Sequence, residues 1–354
     1  MELSLRAELA VRGLRAAPPV RRRAGAGPSD DGHWQLAGGC AATLPLAPTS
    51  PFALDPHGRL TRDGVVVEDT MVEAVERPRF YDLTTADGVP FDQLARLHGR
   101  DVLATTVVQT CIRYTSTETR CRFCTIEESL RAGATTQVKR PAQLAEVAAA
   151  AVRLDGVTQM VMTTGTSAGA DRGAKHLCKC VRAVKEAVPG LPIQVQIEPP
   201  VEMSWIDALS ESGADAIGIH IESLDQEVRE RWSPGKATVP VERYEEAWAR
   251  ALAAFGPNRV STYLLVGLGE DPDELVAGAE RLIERGIYPF VVPYRPLEGS
   301  LAHADGVGAP PAAVLAEVTR RVGAALARAG MRGRDQVAGC AACGACSALQ
   351  HAGG

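Results

Sequence analysis

Three cysteines, Cys111, Cys121 and Cys124, fall within fourteen residues of the stretch 107–130, VVQTCIRYTSTETRCRFCTIEESL. An apolar run over 101–110 leads into them and reads as a buried strand. That puts the cysteines on the loop at its C-terminal end. Three thiolates on one loop can hold three irons of a [4Fe–4S] cluster and leave the fourth iron open to an outside ligand. Cys121 and Cys124 give the local bite of two sulfurs; nine residues separate Cys111 from Cys121. A zinc knuckle is the alternative, but it needs a fourth Cys or His, and residues 107–130 contain none. Buried, unligated thiols are the other alternative.

The C-terminus carries a second group, Cys340-Ala-Ala-Cys343-Gly-Ala-Cys346. Its spacing matches the first three cysteines of bacterial ferredoxins, and small residues between the thiols permit close wrapping. A second [4Fe–4S] cluster is the reading, with zinc or an unstructured tail as alternatives. The fourth ligand is not evident; substrate or the isolated Cys40 can fill the place. Cys178 and Cys180 lie two apart on a predicted helix and face different ways, which is a structural pattern.

Positioning these loops requires a scaffold. From residue 101 apolar strand runs alternate with amphipathic helices. The strands are expected at 102–110, 157–164, 192–198, 215–221, 259–266 and 289–294. The helices are expected at 141–154, 173–187, 201–212, 241–255, 272–285 and 310–329. Six such units predict an α/β fold with a parallel sheet curled into a partial (β/α)6 barrel, in which chemistry sits at the C-terminal strand ends. Residues 1–100 read as an N-terminal accessory region, 101–330 as the barrel and 331–354 as a Cys-rich tail. Within the first region, 1–16 reads as a short amphipathic helix, made locally basic by Arg21, Arg22 and Arg23. Residues 25–32 read as a turn-rich loop, 58–68 as a hairpin turning at Arg62-Asp63-Gly64, and 91–97 as a short helix.

Composition sets bounds. The 354 residues carry a formal charge of −5 and are 45% hydrophobic. A net acidic balance argues against a general nucleic-acid binder. No apolar run reaches membrane-spanning length. Nine clustered cysteines without a signal peptide fit metal ligation in a reducing cytoplasm, not a disulfide frame.

The loop motif, with Phe123 directly before its last cysteine, resembles the radical S-adenosylmethionine (radical SAM) superfamily, in a variant with a longer first gap. Arg79-Phe-Tyr-Asp-Leu-Thr-Thr-Ala-Asp-Gly88, His98-Gly99, Leu103-Ala-Thr-Thr-Val107 and the Cys tail resemble one family of it. That family is encoded beside nitrilases and acetyltransferases in bacterial nitrile- or cyanide-linked gene clusters. More distantly the barrel is similar to biotin synthase.

The resemblance implies that Cys111, Cys121 and Cys124 bind the cluster and that SAM chelates its open iron. Reduced flavodoxin or ferredoxin would supply one electron. The sulfonium bond then breaks to a 5′-deoxyadenosyl radical that abstracts hydrogen from a small, nitrile- or nitrogen-related metabolite. Oxygen sensitivity goes with this chemistry. Gly165 and Thr166 would stand by the SAM amine. Glu198 and Glu222, at the ends of the third and fourth strands, would contact SAM or substrate; Gln194 and Gln196 share a face with Glu198, and His220 with Glu222. Val266 and Gly267, with Gly269, would leave room for adenine, and Arg295 can grip a carboxylate. A helix cap, a turn and a core histidine are the plain readings of these positions.

The loop around Arg231 to Lys236 reads as a lid over the active side. The accessory region and the tail would cap the barrel mouth. The tail cluster would bind substrate, relay electrons, or donate sulfur as in biotin synthase. A metal- and SAM-binding scaffold without turnover is the non-enzymatic alternative.

Overall fold

The structure is a computed structural model, which describes residues 1–15, 32–36 and 39–352. The basic run at Arg21, Arg22 and Arg23 and most of the 25–32 loop lie outside the described residues. The helix foreseen at the start spans Leu3–Arg12.

Two sheets organise the chain. The first is antiparallel, in the order β2-β1-β5-β4-β3. Its strands are β1 (Gly32–Leu36), β2 (Ala41–Leu44), β3 (Phe52–Leu54), β4 (Arg59–Arg62) and β5 (Val65–Ala74). The β4–β5 turn falls at Asp63 and Gly64, as the sequence predicts. Leu5 and Leu9 of the N-terminal helix and Trp34, Leu36, Leu44, Phe52 and Leu60 of the strands form its own small core.

The second sheet has seven strands in sequence order: β6 (Arg96–His98), β7 (Val102–Thr106), β8 (Gln159–Thr163), β9 (Ile193–Gln196), β10 (Ala216–Gly218), β11 (Val260–Val266) and β12 (Tyr288–Pro293). β7 to β12 pair in parallel and curl into a half-barrel; β6 adds antiparallel to β7. All six expected parallel strands are present. β6 was not foreseen: the short helix stops at Leu94, and the next residues pair with β7. A boundary at residue 100 therefore leaves one strand of the accessory region in the barrel sheet.

Sequence signals explain the helix boundaries. Helix Pro141–Asp155 starts with proline at its first position, where no N–H is needed, and ends at Gly156 in the left-handed region. Helix Pro272–Glu284 begins after Asp271, whose carboxylate accepts from the Asp273 N–H at 2.7 Å. Apolar faces of these helices and the outward side of the strands share one continuous core, running from Leu103 and Met160 through Val195, Ile217 and Trp248 to Val291.

The open side of the half-barrel is spanned by the first sheet. His33 stacks on His98 next to β7, with ring centroids 5.5 Å apart. At the other edge, past β12, the Arg295 guanidinium donates to the Thr43 carbonyl at 2.6 Å. The tail threads between them: Thr43 N–H donates to the Ala345 carbonyl at 2.8 Å.

The tail does not cap the mouth. The Gly339 N–H donates to Gln159 Oε1 at 2.6 Å, at the first residue of β8. The Cys340 N–H donates to Gln194 Oε1 at 3.3 Å, near the start of β9. The tail enters from the N-terminal ends of the strands, where inward glutamines offer side-chain acceptors for its backbone.

Candidate active site

The cysteine loop is built by continued pairing past the strand ends. The Val107 N–H donates to the Thr163 carbonyl, the Gly165 N–H to Val108 and the Ile112 N–H to Thr166, all at 2.8–2.9 Å. The loop after β8 therefore lies against the loop after β7. Gly165 is where they cross: a methyl group there would overlap the Thr110 carbonyl oxygen. A single 3-10 turn, Ile112–Thr115, follows Cys111, and the Cys124 N–H donates to the Cys121 carbonyl at 3.0 Å. From the other side, two short helices after β10, Gln226–Trp232 and Pro234–Ala237, clamp the loop. The Arg122 N–H donates to the Trp232 carbonyl at 2.7 Å and the Gly235 N–H to Thr119 at 3.1 Å. The segment read as a lid is packed onto the loop.

The three thiols sit close enough to influence one another. Burial drives Cys121 well above the usual thiol range, and the Cys124 and Cys111 charges add to this while Lys236 opposes it. Burial likewise pushes Cys124 up to about 11, with Cys111 adding and Arg120 and Lys236 opposing. Three buried thiolates are unfavourable without a cation, and metal binding would supply one. Among the described residues, no three His, Cys, Asp or Glu side chains are arranged to hold a single metal ion.

Around the loop the strand ends carry two buried ion pairs. Glu198 receives the Arg113 guanidinium through both carboxylate oxygens, with Nε at 2.9 Å, and the Thr166 hydroxyl at 3.0 Å. Glu222 receives Lys236 Nζ at 2.8 and 2.6 Å, and the same ammonium donates to the His220 carbonyl at 2.8 Å. Burial raises the Glu222 carboxyl while Lys236 holds it down. His220 lies flat on Tyr263, centroids 4.1 Å apart, and its Nδ1 accepts from the Tyr263 N–H at 3.2 Å. That bond puts the neutral ring's proton on Nε2, which is buried without a partner.

Gln194, Gln196 and His220 face the barrel interior. Gln196 donates to Gln194 at 3.0 Å and to Cys340 Sγ at 3.1 Å. A cavity of about 350 Å³ occupies this interior. Phe123 and Cys124 line one part of it, and Cys340, Cys343 and Cys346 another, with Gln196 and Tyr263 on the wall. Cys124 of the loop and the three tail cysteines, more than two hundred residues apart in sequence, line one space. Burial pushes Cys340 up to about 11 against hydrogen bonds from Tyr263 and Gln196, and burial raises Cys343 further.

At Gly267 the place a side chain would take is filled by the Pro310 ring, and at Gly269 by the Arg231 guanidinium. Their left-handed φ values, 107° and 91°, serve a turn in which Glu270 accepts from the Gly267 and Leu268 N–H groups at 2.9 and 2.8 Å. Val266 is buried in the core shared with the helices. Arg295 ties down the first sheet through Thr43. Phe123 packs with Trp232, Leu268 and Tyr294 while also edging the cavity.

Sequence reasoning gave no site role to Arg113, Tyr263 or Arg6. Arg113 lies two residues after Cys111, a position that marked it as part of the loop but not as the partner of Glu198. Tyr263 is inward by strand alternation from Ser261, so period two could have found it. Arg6, fully buried in the N-terminal helix, offered no sequence signal at all.

The match to known proteins follows the same elements. Residues 117–282 match the sequence model of the Radical SAM superfamily. The matched stretch takes in Cys121, Cys124 and β8 to β11, and begins after Cys111. Among curated proteins, the chain is similar to the bacteriochlorophyllide c C-7(1)-hydroxylase of Chlorobaculum limnaeum, 29% identical over 32% of this chain and 29% of that protein. It is also similar to the lipoyl synthase of Methanocella arvoryzae, 28% identical over 44% of this chain and 50% of that one. The chain thus spans half or less of the length of these curated relatives. Among solved structures, the FeFe-hydrogenase maturase HydG from Carboxydothermus hydrogenoformans aligns with a TM-score of 0.48 and 18% identity, covering 65% of this chain and 52% of that one. No helix among the described residues is long and apolar enough to cross a membrane.

Proposed function

We propose that the protein is a radical SAM enzyme that uses two iron–sulfur clusters facing one interior cavity. Cys111, Cys121 and Cys124 would hold the cluster that binds SAM, and Cys340, Cys343 and Cys346 the second. The observation that carries this reading is the single cavity edged by Cys124 and by all three tail cysteines. When loaded, the first cluster supplies one-electron reductive cleavage of SAM, with reduced flavodoxin or ferredoxin as donor in a cytoplasmic setting.

The chain's own groups would bind and orient. Lys236, buried on Glu222, offers its ammonium beside Cys121, where a ligand carboxylate competing for it would gain a charge-assisted bond. Glu198, held by Arg113 and Thr166, presents a fixed carboxylate for an amine or a ribose hydroxyl. Gly165 and Thr166 act chiefly by seating the loop. Phe123 and the packed helices after β10 exclude water. Gln196, Gln109 and Thr163 offer neutral polar contacts along the cavity wall. Such a wall suits a small metabolite, which the sequence resemblance narrows to a nitrile- or nitrogen-related one.

The domain reading is an accessory region (1–100) that spans the open side, a barrel (101–330) and a tail (331–354) that forms the floor. Because the tail thiols face the cavity, sulfur transfer to substrate is the second reading.

The test is anaerobic reconstitution with SAM and dithionite. Formation of 5′-deoxyadenosine and methionine, lost in Cys121→Ala and retained in Cys343→Ala, supports the assignment. No cleavage by fully iron-loaded protein would sink it. Sulfur in the product separates the second reading from simple hydrogen abstraction.

A further inference from the structure

Arg6 is fully buried in the N-terminal helix. Its Nη2 donates to the Ala345 carbonyl at 2.9 Å and more weakly to the Ser347 carbonyl at 3.4 Å, the residues on either side of Cys346. Its Nε and Nη1 have no partner, although both are sealed from solvent. No carboxylate pairs with it among the described residues. A buried cation with no carboxylate is costly, by several kcal/mol even after relaxation, the more so because the Arg295 charge also acts on it, and proteins retain one where an anion meets it. The groups nearest along the contacted segment are thiols. Cys346 Sγ lies 3.8 Å from Thr43 Oγ1, and Thr43 N–H shares the Ala345 carbonyl with Arg6. Neutral thiols would leave the guanidinium uncompensated; thiolates on an iron–sulfur cluster would not.

We propose that Arg6 is the built-in counter-cation of an anionic iron–sulfur centre on Cys340, Cys343 and Cys346, so that the N-terminal helix forms part of that centre. This rests on the tail-cluster reading above. Two consequences follow from charge alone. A cation beside the cluster favours the more negative, reduced form, so removing it moves the midpoint potential down. The same cation destabilises the metal-free protein and stabilises the loaded one. Its neutral replacement should therefore change sign in stability between the two forms. The Ala345 carbonyl keeps the Thr43 N–H, so only the weaker 3.4 Å bond to the Ser347 carbonyl goes without a replacement.

The experiment uses the full chain with Cys111, Cys121 and Cys124 all changed to Ala, so that only the tail can take up iron and sulfide. On this parent, Arg6→Lys keeps the charge, and Arg6→Met and Arg6→Gln remove it. Anaerobic loading with ferrous iron and sulfide is followed by spectroelectrochemical titration and thermal melting. The expected result is a midpoint at least 59 mV lower in both neutral variants, a tenfold change in the one-electron equilibrium. Arg6→Lys should stay near the parent. Arg6→Met should melt no lower than the parent without metal and below it when loaded; if Arg6→Met does not fold, Arg6→Gln carries the same comparison. Equal midpoints and parallel melting shifts across the loaded variants overturn the proposal alone. A parent that takes up no iron and sulfide overturns the tail-cluster reading and the proposal with it.

Discussion

Lys236 reaches Glu222 through both carboxylate oxygens, at 2.8 and 2.6 Å, from a helix of only four residues. Glu222 holds a left-handed backbone, φ 66°, unusual for a residue other than glycine. The strain is tolerated because backbone bonds to β11 fix the residue on both sides: the Glu222 N–H donates to the Tyr263 carbonyl, and the Leu265 N–H to the Glu222 carbonyl. This pair joins the fourth strand end to the clamp over the cysteine loop.

Breaking the pair from one side should cost more than removing it. Lys236→Met leaves a buried carboxylate unpaired, and Glu222→Gln leaves a buried ammonium. Each should lower stability by about 3 kcal/mol, while the double variant should lose less than their sum. Anaerobic chemical denaturation of the four proteins measures the coupling. If the losses simply add, the two side chains do not depend on one another. The same Lys236 variant should weaken SAM binding, read by equilibrium dialysis with the loaded protein.

Acid stability should report on His220. Burial, helped by the nearby Lys236 charge, depresses its pKa to about 3. The unfolded chain takes up that proton near pH 6.5 and the folded chain does not, so the group's contribution is whole above 6.5 and drains away as pH falls toward 3. By pH 4 the loss is about 3 kcal/mol. Melting temperatures of metal-free protein between pH 7 and pH 4 should drop more steeply than those of His220→Phe. Identical slopes would place the acid sensitivity elsewhere.

The two cysteine groups should load independently. Wild-type protein should bind about eight irons, and Cys121→Ala or Cys343→Ala about four each, if both groups carry cubane clusters. Iron and sulfide assays with electron paramagnetic resonance of the reduced proteins check this. Only the loop variant should lose the spectral change on adding SAM. Loss of that change in the tail variant alone would reverse the roles.

What the sequence revealed and what it hid divide along a physical line. β7 to β12 are buried on both faces or half-buried against helices, so their apolar runs stand out, and helix ends carry proline, aspartate or glycine signals. β6 has three residues, Arg96-Leu97-His98, too few to show a period, and exists because β7 offers an edge. Cysteine spacing marks two groups of thiols but not where the tail lies; that depends on Gln159 and Gln194 accepting its backbone. A lysine in a loop reads as solvated, yet Lys236 is buried by packing that no local pattern encodes. That Pro310 packs where a side chain at Gly267 would lie depends on chain folding that the turn's own residues do not encode.

The last prediction concerns how the cysteine loop is seated. Gly165 and Gly235 touch it from opposite sides, the first against the Thr110 carbonyl and the second against the Thr119 carbonyl. Both contacts are backbone on backbone, so a methyl cannot be accommodated by turning a side chain. Gly165→Ala and Gly235→Ala should each cost about 1–3 kcal/mol in overpacking, and the displacement falls on the segments holding Cys111 and Cys121. Iron loading at the loop should drop, while the tail, joined to the opposite ends of the strands, should load as before. Gly190→Ala, where nothing lies near the added methyl, serves as the control. The measurement is iron per chain in the Cys343→Ala background against the Cys121→Ala background. Equal loss in both backgrounds would mean that the glycines support the whole barrel rather than the loop.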